Sequence, residues 1–313
     1  MADLVSYIIR KLLLAIPVIF LATFIVFLML YLTPGDPVTA ITPPHVTPEQ
    51  LDALREKYGF NDPFIVQYWR FLERLFHGDL GTSVARASLN TDVSFLLIQR
   101  LPKTLELMTI GLAISYSIGI PLGVFSALKQ DTWKDRGVMV FTLVAYAMPS
   151  FWLGILLMMA LAVYTHILPV EGTVGGFKSI LLPALTLGLG NAALTTRMMR
   201  SSMLEVKRQD YITQLRSRGL PESEVIFKHA LKNAILPVIT VIGLDIGWFV
   251  AGAVVVETVF SWPGIGMLVT SSISSHDFPT VQGCILVLAF FVVIGNLVAD
   301  ILYALADPRV RLG

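Results

Sequence analysis

Between Gly137 and Val170 the chain runs for 34 residues without one Asp, Glu, Lys or Arg. In water a stretch of that length would have to be buried whole, whereas a helix crosses a bilayer with roughly 20 mostly apolar residues. Five further stretches share the character: Leu12 to Leu32, Leu107 to Leu128 with Glu106 at its edge, the shorter Ser179 to Thr196, Asn233 to Val256 interrupted by Asp245, and Phe278 to Ala299. Six transmembrane helices are expected. Composition agrees: 55% of the 313 residues are hydrophobic and only 14% are charged, against roughly 25% charged in a soluble domain. An ordinary soluble enzyme is excluded. The first stretch is longer than the roughly 7–15 apolar residues of a signal peptide, and no clear small-x-small cleavage site follows it, so it reads as a helix.

The few charges are unevenly placed. Net charge is +1, which gives no global attraction to nucleic acid. With the N-terminus inside, fifteen of the 23 Lys and Arg residues fall on inner segments and eight on outer ones, seven of these in or beside one long outer loop. Basic residues in short loops stay on the cytoplasmic side, so both termini are expected in the cytoplasm. The long outer loop, Thr33 to Lys103, carries helix signals. Thr47-Pro48-Glu49-Gln50 reads as a capping box with proline at the first helical position, Gly59 ends that helix, and Asp62-Pro63 opens a second one bearing Tyr68, Trp69, Phe71, Leu72 and Leu75. This small helical cap either stabilises the membrane part or docks an external partner.

The inner loop, Arg197 to Lys232, is long and helical in pattern. Arg218-Gly219-Leu220-Pro221-Glu222 reads as a helix stop followed by a new helix, with Glu222 and Glu224 in its first turn. An ordered loop of that length is uncommon without a task.

Catalytic signatures are missing. None of the nine lysines follows a glycine as a phosphate-binding loop requires. No GxSxG elbow or HExxH occurs. His45, His77, His166, His229 and His276 are scattered, and the lone Cys284 builds neither a disulfide nor a thiolate metal site. Neither an enzyme nor a metal site is expected. Asp245 lies midway along an apolar stretch and lines a pathway or ties helices together. Glu257 and Asp300 lie near stretch ends and read as interfacial. Gly243, Gly247 and Gly252 permit close helix contact.

Six short strings follow one another in order: Thr33-Pro34-Gly35-Asp36-Pro37-Val38; Gly78-Asp79-Leu80-Gly81-Thr82-Ser83; Arg200-Ser201-Ser202-Met203-Leu204-Glu205-Val206; Gly219-Leu220 with His229-Ala230-Leu231-Lys232-Asn233-Ala234 and Leu236-Pro237; Phe260-Ser261-Trp262-Pro263-Gly264-Ile265-Gly266; and Asp307-Pro308-Arg309-Val310-Arg311. Together, from near residue 10 to the end, they resemble the first permease subunit of the ABC importers for dipeptides, oligopeptides and nickel.

That resemblance implies an all-α integral membrane protein: an N-terminal segment and first helix at 1–32, an extracytoplasmic helical cap at 33–103, and a permease domain at 104–313 whose loop 197–232 holds a coupling helix. It implies a second homologous permease subunit, two cytoplasmic ATPase subunits that hold ATP and Mg, and an external substrate-binding protein, in a bacterial or archaeal cytoplasmic membrane. No cofactor is expected in this chain. Gly219 matches the glycine of the family's coupling motif, while Thr213, Gln214 and Leu215 depart from its EAA positions. Coupling falls to Arg216, Arg218, Glu222 and Glu224 as rim contacts around Gly219, with Leu220, Val225 and Ile226 filling the ATPase groove and His229 as a further coupling residue. Polarity and bulk within the spans nominate Met148, Phe151, Trp152, Asp245 and Trp248 for the pathway. Peptides form the larger branch. Ala147-Met148-Pro149-Ser150-Phe151-Trp152 and His276-Asp277-Phe278-Pro279 fit nickel and metallophore branches as well. A stand-alone channel or secondary transporter would leave the inner loop unexplained.

Overall fold

The computed structural model describes residues 2–32, 47–58, 61–83, 85, 91–170 and 176–306. The Thr33–Val38 string, Gly59, the Asp307–Arg311 string and the Asp300 side chain lie outside the described residues. Helices follow in the order α1 (Ala2–Leu32), α2 (Pro48–Tyr58), α3 (Phe64–Phe76), α4 (Val93–Leu128), α5 (Trp133–Ala147), α6 (Ser150–Met158), α7 (Phe177–Lys207), α8 (Asp210–Ser217), α9 (Glu222–Glu224), α10 (Leu231–Ala234), α11 (Leu236–Val259), α12 (Ile265–Ser274) and α13 (Phe278–Ala306). Wider π-helical turns extend α6 through Met159–Tyr164 and join α9 to α10 through Val225–Ala230. Among the described residues there is no strand, only an isolated bridge between Thr82 and Asp92.

Five helices are long and apolar enough to cross a bilayer: Ile9–Met29 within α1, then α4, α7, α11, and Phe278–Ala299 within α13. The expected third span is corrected. It is not one helix but α5 and α6, bent by 108° to each other. Pro149 supplies no amide hydrogen and pushes the residue before it out of the helical region. Met148 is accordingly extended (φ −77°, ψ 130°), and α6 starts again at Ser150. The pair makes a sixth span only if the two halves are counted together.

The core is the α4–α7 crossing, with α11 packed onto it. Gly119 and Gly123 of α4 face Thr195 and Met199 of α7 so closely that an added Cβ would lie 2.7 and 2.6 Å from their Cβ atoms. Leu107, Leu182, Phe249, Val256 and Phe260 fill the adjoining core. Between α11 and α13 a Cβ on Gly243 would lie 2.2 Å from the Ala299 backbone, and between α11 and α7 one on Gly252 would lie 2.8 Å from Leu187. Two of the three expected close-contact glycines are therefore close. Gly247, with Val292 3.7 Å away, is not. Both α4 and α7 outrun their apolar stretches. α4 begins at Val93 and carries Arg100 and Lys103, and α7 continues past Thr196 to Lys207.

Candidate coupling and pathway site

The elbow at the basic end is built by local rules. α8 stops at Arg218, and Gly219 takes a left-handed φ of +79°. The Gly219 amide donates to Arg216 O at 2.9 Å and the Leu220 amide to Leu215 O at 3.4 Å, the paired bonds of a glycine-terminated helix. Leu215 and Leu220 both pack against one apolar cluster, as that motif favours. Pro221 then opens α9. Arg216 clasps Glu222 across the turn with Nε to Oε2 at 3.0 Å and Nη2 to Oε1 at 2.7 Å, and this guanidinium holds the Glu222 carboxyl below the usual glutamate range. Lys228 donates to Glu224 at 2.7 Å.

The elbow is seated, not free. Ile212, Val225 and Ala230 are fully buried, and Ile226 nearly so, against Val124, Met199, Met203 and Val206. Val225 and Ile226 therefore cannot fill a groove on another protein, and that expectation is corrected: they face their own bundle. Leu220 is half-buried in the same cluster. Arg216, Arg218, Gly219 and Glu222 remain on the exposed rim, and Glu224 and His229 are half-buried. The exposed apolar residue of the segment is Phe227, at 58%. The Val225-Ile226-Phe227 run shows that one side is apolar, but the π-helical turn adds a residue per turn and shifts which side chain faces out.

Arg200 and Ser202 anchor the same end. Arg200 makes a two-pronged contact to Asp135 at the start of α5, with Nε to Oδ1 at 2.7 Å and Nη2 to Oδ2 at 2.6 Å. Ser202 Oγ donates to Ala234 O at 2.7 Å.

The nominated pathway residues separate. Met148 sits half-buried at the α5–α6 break, Phe151 and Trp152 are 48% and 46% exposed on α6, and Trp248 is 77% exposed on α11. Asp245 faces the other way. It is buried, the Tyr116 hydroxyl of α4 donates to it, and Asn191 Nδ2 of α7 donates to it at 2.8 Å. Asn191 also reaches Ser115 Oγ at 3.2 Å. Of the two readings of Asp245, this geometry fits the second: it ties three helices together.

Glu257, read as interfacial, is fully buried and is the hub of the opposite end. Its carboxylate accepts from Thr104 Oγ1 at 2.7 Å and from the Gly266 and Met267 amides at 2.6 and 3.2 Å, capping α12. Thr104 Oγ1 accepts from the Ile265 amide, and Trp262 Nε1 donates to Lys103 O at 2.9 Å. The Phe260–Gly266 string is thus the turn that wraps this carboxylate. The Gly78–Ser83 string is pinned by Ser83 Oγ donating to Asp277, which also accepts from Thr280 Oγ1 at 2.8 Å.

Long apolar helices joined by buried polar ties, with an ordered basic elbow at one end, define a membrane-embedded transport component. Residues 119–312 match the family described as binding-protein-dependent transport system inner membrane component, and residues 4–108 match the N-terminal part of such membrane components. The chain belongs to this family. It is 40% identical to the oligopeptide transport system permease protein AppB of Bacillus subtilis over 315 residues, covering 98% of this chain and 99% of that one. It is 37% identical to the dipeptide transport system permease protein DppB of Alkalihalophilus pseudofirmus over 335 residues, covering 98% and 100%.

Proposed function

We propose that this chain is one permease subunit of an ATP-driven importer for di- and oligopeptides. It pairs with a second, similar permease and takes substrate from an external binding protein. Two cytoplasmic ATPases, which hold ATP and Mg, grip the exposed rim of the elbow. The observation that carries the reading is the elbow: a rigid, apolar-backed turn joining α7 to α11, with Arg216, Arg218, Glu222 and Phe227 on its surface. A push on that turn moves both helices as one body, the kind of packed two-state shift that opens opposite faces in turn. The distribution of Lys and Arg supports a cytoplasmic elbow and cytoplasmic termini. The near full-length relatives named for peptide transport favour peptide over nickel or a metal chelate.

The test is uptake by proteoliposomes that hold the two permeases and the ATPases, with the binding protein outside. Labelled dipeptide or oligopeptide is expected to accumulate only with ATP inside and binding protein outside. Accumulation of a nickel chelate without peptide, or flux through this chain without an ATPase, would overturn the reading.

A further inference from the structure

Helix α3 does not stand beyond the end of α1, as an aqueous cap would. It runs antiparallel beside the second half of α1. Phe64 packs on Tyr31, Phe27 and Phe24 with ring centroids 5.0, 5.4 and 5.7 Å apart. Tyr68 packs on Phe27 and Phe24 at 5.5 and 5.3 Å, and Phe76 reaches Phe20 at 6.2 Å. The apolar segment of α1 is Ile9–Met29, so α3 follows it back to about its midpoint. Polar groups at this contact are satisfied by protein: Thr23 Oγ1 donates to Phe20 O at 2.7 Å, and the Tyr68 hydroxyl lies 3.0 Å from Thr23 Oγ1. A water-poor setting demands such pairing.

The apolar arc of α3 is wider than its contact with the bundle. Phe71 and Leu72 are buried beside Phe27 and Leu286. Ile65, Trp69 and Phe76 form a second line on the helix and are 67%, 69% and 74% exposed. The opposite side carries Gln67, Arg70 and Arg74, with Arg70 paired to Asp62, while Glu73 flanks the apolar line one turn on from Trp69. The exposed line meets the membrane-facing surface of α1 directly, because Phe20, the partner of Phe76, is itself 39% exposed beside Leu21 at 59%.

We propose that α3 is seated in lipid: Ile65, Trp69 and Phe76 enter the acyl-chain region of one leaflet, and the Gln67–Arg74 side turns to the head groups and water. An amphipathic helix with an aromatic and aliphatic face and a basic polar side takes this position at a membrane boundary. The leaflet is the outer one on the orientation proposed above. The seat itself needs only that α1 spans the membrane. This face of the cap is then a membrane anchor beside α1 and leaves no apolar surface there for an external protein.

The test places spin labels on the assembled complex in nanodiscs of phosphatidylethanolamine and phosphatidylglycerol. Labels go on W69C and I65C, with R74C on the polar side and L21C on α1 as the membrane control. The native Cys284 is fully buried and stays unlabelled. Collision with oxygen is expected to exceed collision with the water-soluble chromium oxalate severalfold at 65 and 69, and the order is expected to reverse at 74. Chromium oxalate winning at 65 and 69 would place the face in water, and low collision with both reagents would place it under protein; either result overturns the proposal. Oxygen preference at L21C in the same preparation separates that failure from failure of the membrane-permease reading.

Discussion

At Glu257 one fully buried carboxylate satisfies a threonine hydroxyl and two backbone amides of a helix start. Glu257→Ala leaves those donors unpaired and is expected to lower stability by about 3 kcal/mol, since each buried unsatisfied group costs roughly 1–3 kcal/mol. Gly264→Ala attacks the same hub from outside, because its Cβ would lie 2.2 Å from Glu257 Oε1. The double variant is expected to cost less than the two single losses combined, as for neighbours that share one contact. Thermal unfolding of the purified complex reads all three, and strict additivity would separate the two sites. Asp245 makes a sharper case. If it is a tie, Asp245→Asn keeps an acceptor for Tyr116 and Asn191 and leaves transport near normal, whereas Asp245→Leu loses about 1–3 kcal/mol. Loss of peptide uptake in a stable Asp245→Asn variant would restore a pathway role. The sequence marked Asp245 as a charge out of place. It could not supply the partners, which lie 129 and 54 positions away, because helix packing brings them together.

The elbow was legible as an element because its punctuation is local: glycine where φ must be positive, then proline where a helix begins. Beyond its chain neighbours, no atom lies within 4 Å of a Cβ built on Gly219, so a substitution there acts through backbone conformation. Gly219→Val, β-branched at φ +79°, is expected to distort the turn and uncouple ATP hydrolysis from uptake, while Gly219→Asn, which tolerates that conformation, keeps most of it. Normal binding-protein-stimulated uptake by the valine variant would sink the assignment. The Arg216–Glu222 clasp adds a pH dependence. Glu222 titrates lower in the fold than its ordinary 4.5, so its contribution is complete above that pH and is lost as the pH falls through and below it; raising the pH from neutrality changes nothing. Backbone hydrogen exchange across 216–224, corrected for its intrinsic rate, is expected to speed up toward pH 4 in the native chain and to lose that pH dependence in Arg216→Gln. Other elements were less legible. Pro149 sits in plain view, but an uninterrupted apolar stretch outweighs a single proline when length is the criterion, and only the backbone shows the 108° bend.

For the whole molecule, near-zero net charge conceals a basic end, an apolar belt and, on the seat proposed for α3, a helix laid along the membrane. What the chain leaves open is as informative as what it buries. Met148, Phe151 and Trp152 flank the α5–α6 break, and Trp248 projects from α11 with 77% of its surface exposed. A lone subunit has three possible covers for such residues: lipid, a second permease, or a water-filled path between the two. The bent α5–α6 pair argues against lipid for the first three, because Pro149 cannot donate to the helix ladder and a helix broken within a span is tolerated only beside protein or water; we propose the path. Single cysteines at 148, 151, 152 and 248 in the assembled importer are expected to divide on this basis. The first three react with a membrane-impermeant maleimide and slow when ATP and vanadate trap the ATPases. Trp248→Cys, exposed on α11, reacts in neither state. Reaction at 248 that responds to the trap, with silence at the other three, would move the path from the α5–α6 break to α11.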